Sequence, residues 1–178
     1  PSAIGTYTLT LTMQQGFEHY HITNNTTTLT VVYFEGEGTS ISPYIIRNLV
    51  DFYYIDQYMH FEESDATIDS RAYLGTNRRE ATFKQQADIL LDASFTPIGA
   101  RGDGYTNEFM GTYNGNGYEI IYPNTFVANG DFGVFLNVNG ALITNLGVRL
   151  NVRAIESLED NSNIGFVVAN AENSGIRS

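Results

Sequence analysis

The sequence contains no cysteine, which excludes disulfides and thiolate metal centres. Lys84 is its only lysine. Nine basic residues face 20 acidic ones, for a net charge of -11. A field of that sign repels nucleic acid and anionic membrane surfaces. It is more hospitable to a cationic partner or a calcium ion. No apolar run approaches the roughly 20 residues that a membrane-spanning helix requires. No leader pattern opens the chain, which begins Pro1-Ser-Ala-Ile-Gly, as a processed or excised polypeptide does. The rest is the composition of a folded chain: 42% hydrophobic and 13% aromatic residues over 178 positions, enough for one sizeable core.

Strand patterns dominate. Residues 6–12, TYTLTLT, place Tyr7, Leu9 and Leu11 on one face and threonines on the other, the period of a half-buried strand. TTTLTVVYF, from Thr26 to Phe34, is β-branched and aromatic and reads as a second strand. Two such strands form a ribbon that pairs with itself or with something else. Tyr44 to Ile46 read as a short strand. Asn48 is placed to cap a helix whose apolar side is Leu49, Phe52, Tyr53 and Met59. A polar excursion over 62–80 follows, and ATFKQQADILLD returns to strand character.

From residue 95 onward, glycine and asparagine recur between short apolar bursts: YEII, GVFLNV, ALITNLGVRLNV and IGFVVAN. Helix-length apolar periodicity is missing there. Short strands with tight turns suggest a sandwich, a barrel or a solenoid. A self-alignment sets Gly133 on Gly165, Phe135 on Val167 and Ile143 on Ile176, with Ile120 as an earlier counterpart of Ile143. Spacings of this size suit the coils of a parallel β-helix; a glycine-rich sandwich is the alternative. The window Phe109 to Ile120, FMGTYNGNGYEI, carries the densest turn chemistry. Gly115 and Gly117 accept positive φ, and Asn114 and Asn116 tolerate it. Phe109, Tyr113, Tyr118 and Ile120 are candidates to fill the coil interior or its lateral packing.

Several segments resemble a family of exported bacterial β-helix proteins that carry GLUG repeats. Gly38-Thr39 with Pro43-Tyr44-Ile45-Ile46 resembles the family's opening, and NLVDFYYI falls where it places a short helix. ADILLD (87–92), FTPIG (95–99) and the FMGTYNGNGYEI window are similar to its later segments. Gly133-Val134-Phe135 and Ile143-Thr144-Asn145-Leu146-Gly147 are similar to its repeat core. The order is kept over about residues 36–178. Ala169 stands where the repeat has its second glycine, the 62–80 loop is long, and residues 1–35 lie outside the match. The resemblance implies a mainly-β chain: a right-handed parallel β-helix over 36–178 with a short N-terminal capping helix, preceded by an N-terminal strand extension or pairing segment over 1–35. Gly111, Asn114, Gly115, Asn116, Gly117, Gly133 and Gly165 are its expected structural turn residues.

Ligand and catalytic signals are sparse. His19 and His21 share a strand face without a third ligand, so a surface pair is the expected reading. Asp65 and Asp69, near Glu62 and Glu63, are calcium candidates in an oxygen-rich loop, as are Asp103 and Asn107. Their spacing is not that of an EF-hand, and a solvated loop explains them. Arg101-Gly102-Asp103 spells an adhesive tripeptide short enough to arise by chance. Carboxylates of the repeat region (Asp103, Glu108, Glu119, Asp131, Glu156, Glu159, Asp160) form no recognisable pair, and His19, His21 and His60 all precede it. Tyr53, Tyr54, Tyr58 and Tyr73 offer stacking faces for sugars or packing around a capping helix.

The expectation is therefore a secreted or cell-surface structural or adhesive module without catalysis. Its cofactor set is empty unless calcium binds. Its expected partners are other subunits or parent-protein domains, and glycans. Nucleic acid and membrane insertion are excluded. One alternative is a self-assembling fibre subunit joined through the N-terminal strand and an uncapped C-terminal end. Another, from a different class, is a carbohydrate-active β-helix enzyme with carboxylates on a lateral groove.

Overall fold

A computed structural model of the protein describes residues 5–10, 26–31, 34–59, 78–100, 108–123, 130–150 and 162–177. The described chain is mostly strand, with one α-helix and one short 3-10 helix. β1 (Gly5–Thr10) and β2 (Thr26–Val31) pair antiparallel, from Gly5 opposite Val31 to Thr10 opposite Thr26. Then come β3 (Tyr44–Ile46), α1 (Leu49–Met59) and a 3-10 turn (Arg78–Glu80). β4 (Thr82–Gln85), β5 (Ile89–Leu90), β6 (Thr112–Asn114) and β7 (Glu119–Tyr122) follow. The last five are β8 (Phe135–Asn139), β9 (Leu142–Thr144), β10 (Gly147–Leu150), β11 (Val168–Glu172) and β12 (Gly175–Arg177).

β3 to β12 pair only in parallel. They form a five-stranded sheet in the order β12-β9-β6-β4-β3, a three-stranded sheet β10-β7-β5 and a two-stranded sheet β11-β8. Parallel neighbours need a crossover connection. Between β6 and β9 that connection runs through β7 and β8 of the other two sheets, and between β9 and β12 through β10 and β11, whereas α1 lies between β3 and β4. The chain visits the five-, three- and two-stranded sheets in turn as β6, β7, β8 and again as β9, β10, β11, before returning at β12. On the circuit begun by β4 and β5, Ile98 and Phe109 bridge to β8 at Phe135 and Val138. Neighbouring strands of each sheet lie one strand spacing, roughly 4.8 Å, apart.

In-register positions form columns. Tyr44, Phe83, Tyr113, Ile143 and Ile176 stand one above another in the five-stranded sheet. The expected match of Ile143 with Ile176 is therefore a true register pair. The expected match of Ile143 with Ile120 is not. Ile143 lies on Tyr113, and Ile120 pairs with Ile89 and Val148 in the three-stranded sheet. The turn at 115–118 separates these two sheets, so equal apolarity was mistaken for an equal place in the circuit. Phe135 registers with Val168 rather than Val167, whose carbonyl instead accepts the Phe135 N–H at 2.9 Å.

Alternating residues of these short strands point inward, as the period of two requires. Phe83, Gln85, Tyr113, Ile120, Tyr122 and Phe135 are fully buried. Tyr118, a candidate for the interior or for lateral packing, is about one-third exposed, because it follows the turn at Gly117. The aromatic rings interlock across sheets: Phe109 meets Phe135 at 5.1 Å, and Tyr113 meets Phe135 edge-on at 5.4 Å, geometries the ring quadrupoles favour.

α1 begins as expected, with Asn48 Oδ1 accepting the Asp51 N–H at 2.9 Å. Its buried face is Phe52, Ile55, Tyr58 and Met59. This differs from the expected face, since Leu49 and Tyr53 are only partly buried against the core. Spacings of three and four put Ile55 and Tyr58 with Phe52 and Met59 on one stripe. The helix lies against β3 and β5 at the first-layer side of the sheets. There Tyr58 OH meets Tyr44 OH at 2.9 Å, and Phe34 packs edge-on to Tyr58 and Phe83.

Candidate functional site

The turns between sheets set which side chains reach the surface. Asn116 and Gly117 take φ of 54° and 84°, a region that asparagine tolerates and glycine adopts without cost. Asn114 does not bend the chain itself. It ends β6, and its Oδ1 accepts the Asn116 N–H at 2.8 Å and Asn145 Nδ2 at 3.3 Å. Gly115 corrects the expectation of positive φ, since it is not among the residues with left-handed backbone. It is small for another reason: a Cβ there would lie 2.5 Å from Leu146 Cα and 2.6 Å from Asn145 O in the next layer. A Cβ at Gly133 would likewise lie 2.6 Å from Gly165 O, and Cβ atoms at Gly111 and Gly165 would overlap the carbonyls of Ala81 and Val168.

On the outer face beside β8 and β11, polar side chains stack from layer to layer. Asp131 Oδ1 accepts the Asn163 N–H at 2.7 Å, and its Oδ2 accepts Asn170 Nδ2 at 3.1 Å. Asn170 also reaches Asn137 Oδ1 at 3.2 Å, and Asn137 donates to Gly99 O at 3.0 Å. Asn139 Nδ2 donates to Glu108 Oε2 at 3.3 Å and stands in register with Glu172. The Asn163 N–H, then the Asn170 amide, hold the Asp131 carboxyl below its ordinary range.

Two further surface groups flank the other sheets. The Glu119 N–H donates to Asp88 Oδ1 at 2.8 Å, and Arg149 Nε pairs with Glu119 Oε2 at 2.8 Å. Near the start of the sheets, Tyr53 OH and Ser94 Oγ each donate to Asp92 Oδ1 at 2.7 Å. Burial, followed by the Asp92 hydrogen bond, pushes the Tyr53 phenol up to about 12, while the Ser94 and Tyr53 hydroxyls hold Asp92 low. Tyr53 also stacks on Phe95 at 6.3 Å. At neutral pH this group is a neutral phenol on a carboxylate, an arrangement suited to hydrogen bonding and stacking.

Sequence reasoning missed Gln85. It is fully buried, and its amide donates to Ala87 O at 2.8 Å and Glu119 O at 3.0 Å. Its Oε1 accepts Tyr113 OH at 2.9 Å. The signal was present: alternation in TFKQ turns Phe83 and Gln85 to the same side. Burial drives the Tyr113 phenol far above its usual range, so it stays protonated and keeps its proton for Gln85 Oε1.

Asp65, Asp69, Glu62, Glu63, Tyr73, Arg101, Gly102, Asp103 and Asn107 lie outside the described residues, as do His19, His21 and His60. Among the described residues, no group of three or more His, Cys, Asp or Glu side chains gathers to hold a metal ion. No described helix is long and apolar enough to cross a membrane. No family model, curated protein or solved structure matches the chain.

Proposed function

We propose that the three parallel sheets are the faces of a right-handed parallel β-helix of the GLUG-repeat kind, and that the protein is a secreted or cell-surface module acting by display, without catalysis. The observation that carries this reading is the register: Phe83, Tyr113 and Ile143 superpose at intervals of about thirty residues, and between Tyr113 and Ile143 the chain passes through the two other sheets as β7 and β8. Right-handed crossovers are the rule for parallel strands. A stack of this kind is a rigid rod whose outer ladders, such as Asp131-Asn170-Asn137, present fixed polar atoms. Fixed hydrogen-bonding groups beside a stacking ring suit carbohydrate hydroxyls and sugar faces.

The absence of cysteine gives a clean test of the stacking. Cysteines replacing Thr82 and Thr112, which are in register, should form an intramolecular disulfide, because adjacent layers bring their Cα atoms within bridging range. Thr82 and Leu142, two layers apart, should not cross-link. Failure of the first pair in the folded protein removes the architecture. Glycan-array binding without product release supports display. Turnover of an acidic polysaccharide would replace it with an enzyme.

A second reading, a self-assembling fibre subunit, is favoured by one observation. Ile164, Phe166 and Ile176 are large apolar side chains on the last described layer, and all three are substantially exposed. Electron micrographs of the full chain should then show ordered polymers that Phe166→Glu abolishes. A dispersed monomer at every concentration would end that reading.

A further inference from the structure

We infer that Asn139 is a site of spontaneous deamidation controlled by the pairing of β11 with β8. Three Asn-Gly pairs lie wholly among the described residues: Asn114-Gly115, Asn116-Gly117 and Asn139-Gly140. At such a pair the glycine amide nitrogen attacks the asparagine Cγ, ammonia leaves, and a succinimide forms. Water then opens the ring to aspartate or isoaspartate. The step needs no oxidant, metal or enzyme, and it belongs to the ordinary thermal lability of asparagine. It does need the glycine N–H free and the local backbone able to turn.

All three glycine N–H groups are engaged. Gly115 donates to Thr144 O at 2.8 Å, Gly117 to Asn145 O at 2.9 Å and Gly140 to Glu172 O at 3.0 Å. The acceptors differ in what holds them. Thr144 and Asn145 belong to the β9 layer, which β12 covers on its far side: Thr144 registers with Arg177, and the Asn145 N–H donates to Arg177 O at 3.0 Å. Glu172 closes β11, which among the described residues pairs with β8 alone and is an edge of its sheet. Edge elements with exposed side chains open at lower free energy than interior ones. Gly140 is therefore released first.

The product acts back on the same contact. Asn139 donates to Glu108 and stands in register with Glu172. Deamidation turns that donor into a carboxylate facing Glu108 Oε2, which the amide now meets at 3.3 Å, with Glu172 at the register position beside it. Like charges so placed repel, and the isoaspartate form adds a backbone atom at the end of β8. Either product loosens β11 and leaves the two inner Asn-Gly pairs closed.

Peptide mapping by mass spectrometry, on the full chain incubated at mildly alkaline pH, tests this. Folded protein should deamidate at Asn139 at least several-fold faster than at Asn114 or Asn116, and the three rates should converge in denaturant. Equal protection of all three sites in the folded chain, or faster loss at either inner site, overturns the inference. In parallel, Asn139→Asp should speed amide exchange across β11 while leaving β6 and β9 unchanged, whereas Asn139→Ser should be milder. Unaltered β11 exchange in Asn139→Asp would refute the feedback.

Discussion

Two levels of one column differ sharply. Tyr113 and Ile143 are closed off, at 0% and 1% exposed, while Ile176, in register with them, is 50% exposed. All three point inward from parallel strands of the same sheet. What separates them is whether a described layer lies above. Burial here is a property of the stack, and an isoleucine at its edge contributes only part of what the same side chain contributes inside.

The largest break in that comparison should come from Tyr113→Ala. It removes a fully buried ring and the donor to Gln85, so about 3–5 kcal/mol of stability should be lost, read from denaturant midpoints at constant slope. Gly115→Ala comes next. A Cβ pressed on Leu146 and Asn145 forces adjacent layers apart, at about 1–3 kcal/mol, and equal stability of this variant would contradict the close approach. Ile176→Ala should cost about 1 kcal/mol, well below the 2–5 kcal/mol typical of a buried isoleucine, which Ile143→Ala should show. If the two substitutions cost the same, something covers the last layer in solution.

Acid sharpens the contrast further. The folded carboxyl of Asp131 is depressed relative to its unfolded value, near about 3.9 for a free aspartate. The stabilisation it gives is complete above that value and disappears as pH falls through the folded pKa. Asp131 ties Asn163 and Asn170, on the edge side, to the β8 side of the sheet, so acidification should open β11 before β6. Asp92 titrates with the same sign, so the check is the difference between wild type and Asp131→Asn in acid amide exchange. The smallest effect belongs to Arg149→Ala. Its ion pair with Glu119 is about half-exposed on both sides, and such pairs contribute roughly 0–1 kcal/mol.

Strand existence was largely legible in the residues. TFKQ, FLNV and LIT all lie in strands, and YEII does so from Glu119 onward, because period-two alternation is a local signal. The helix after Asn48 was legible at its cap, but its buried face was misjudged at Tyr53 and Ile55. Aromatics on both sides of the helix left the periodicity flat, and only the position of the sheets decides which stripe is covered. The repeat was read in part: Ile143 over Ile176 is right, while Ile120 belongs to another sheet. Apolar identity recurs at several points of each circuit, so similarity alone does not fix register. The polar ladder of Asp131, Asn137 and Asn170 is not legible in the residues because Asn170 lies 39 and 33 positions from its two partners, and only the pairing of β11 with β8 brings them together.

Gln85 has a consequence for how faithfully the layers find their places. Its carboxamide matches one phenol above and two carbonyls at the neighbouring corner. If β6 slid by a single position against β4, that phenol would turn outward and strand a polar group in oil, at a cost of about 1–3 kcal/mol. A greasy ladder of interchangeable rings tolerates misalignment; one amide wedged among them does not. Gln85 thus works as a locating peg, giving up some hydrophobic gain so that only one alignment is comfortable.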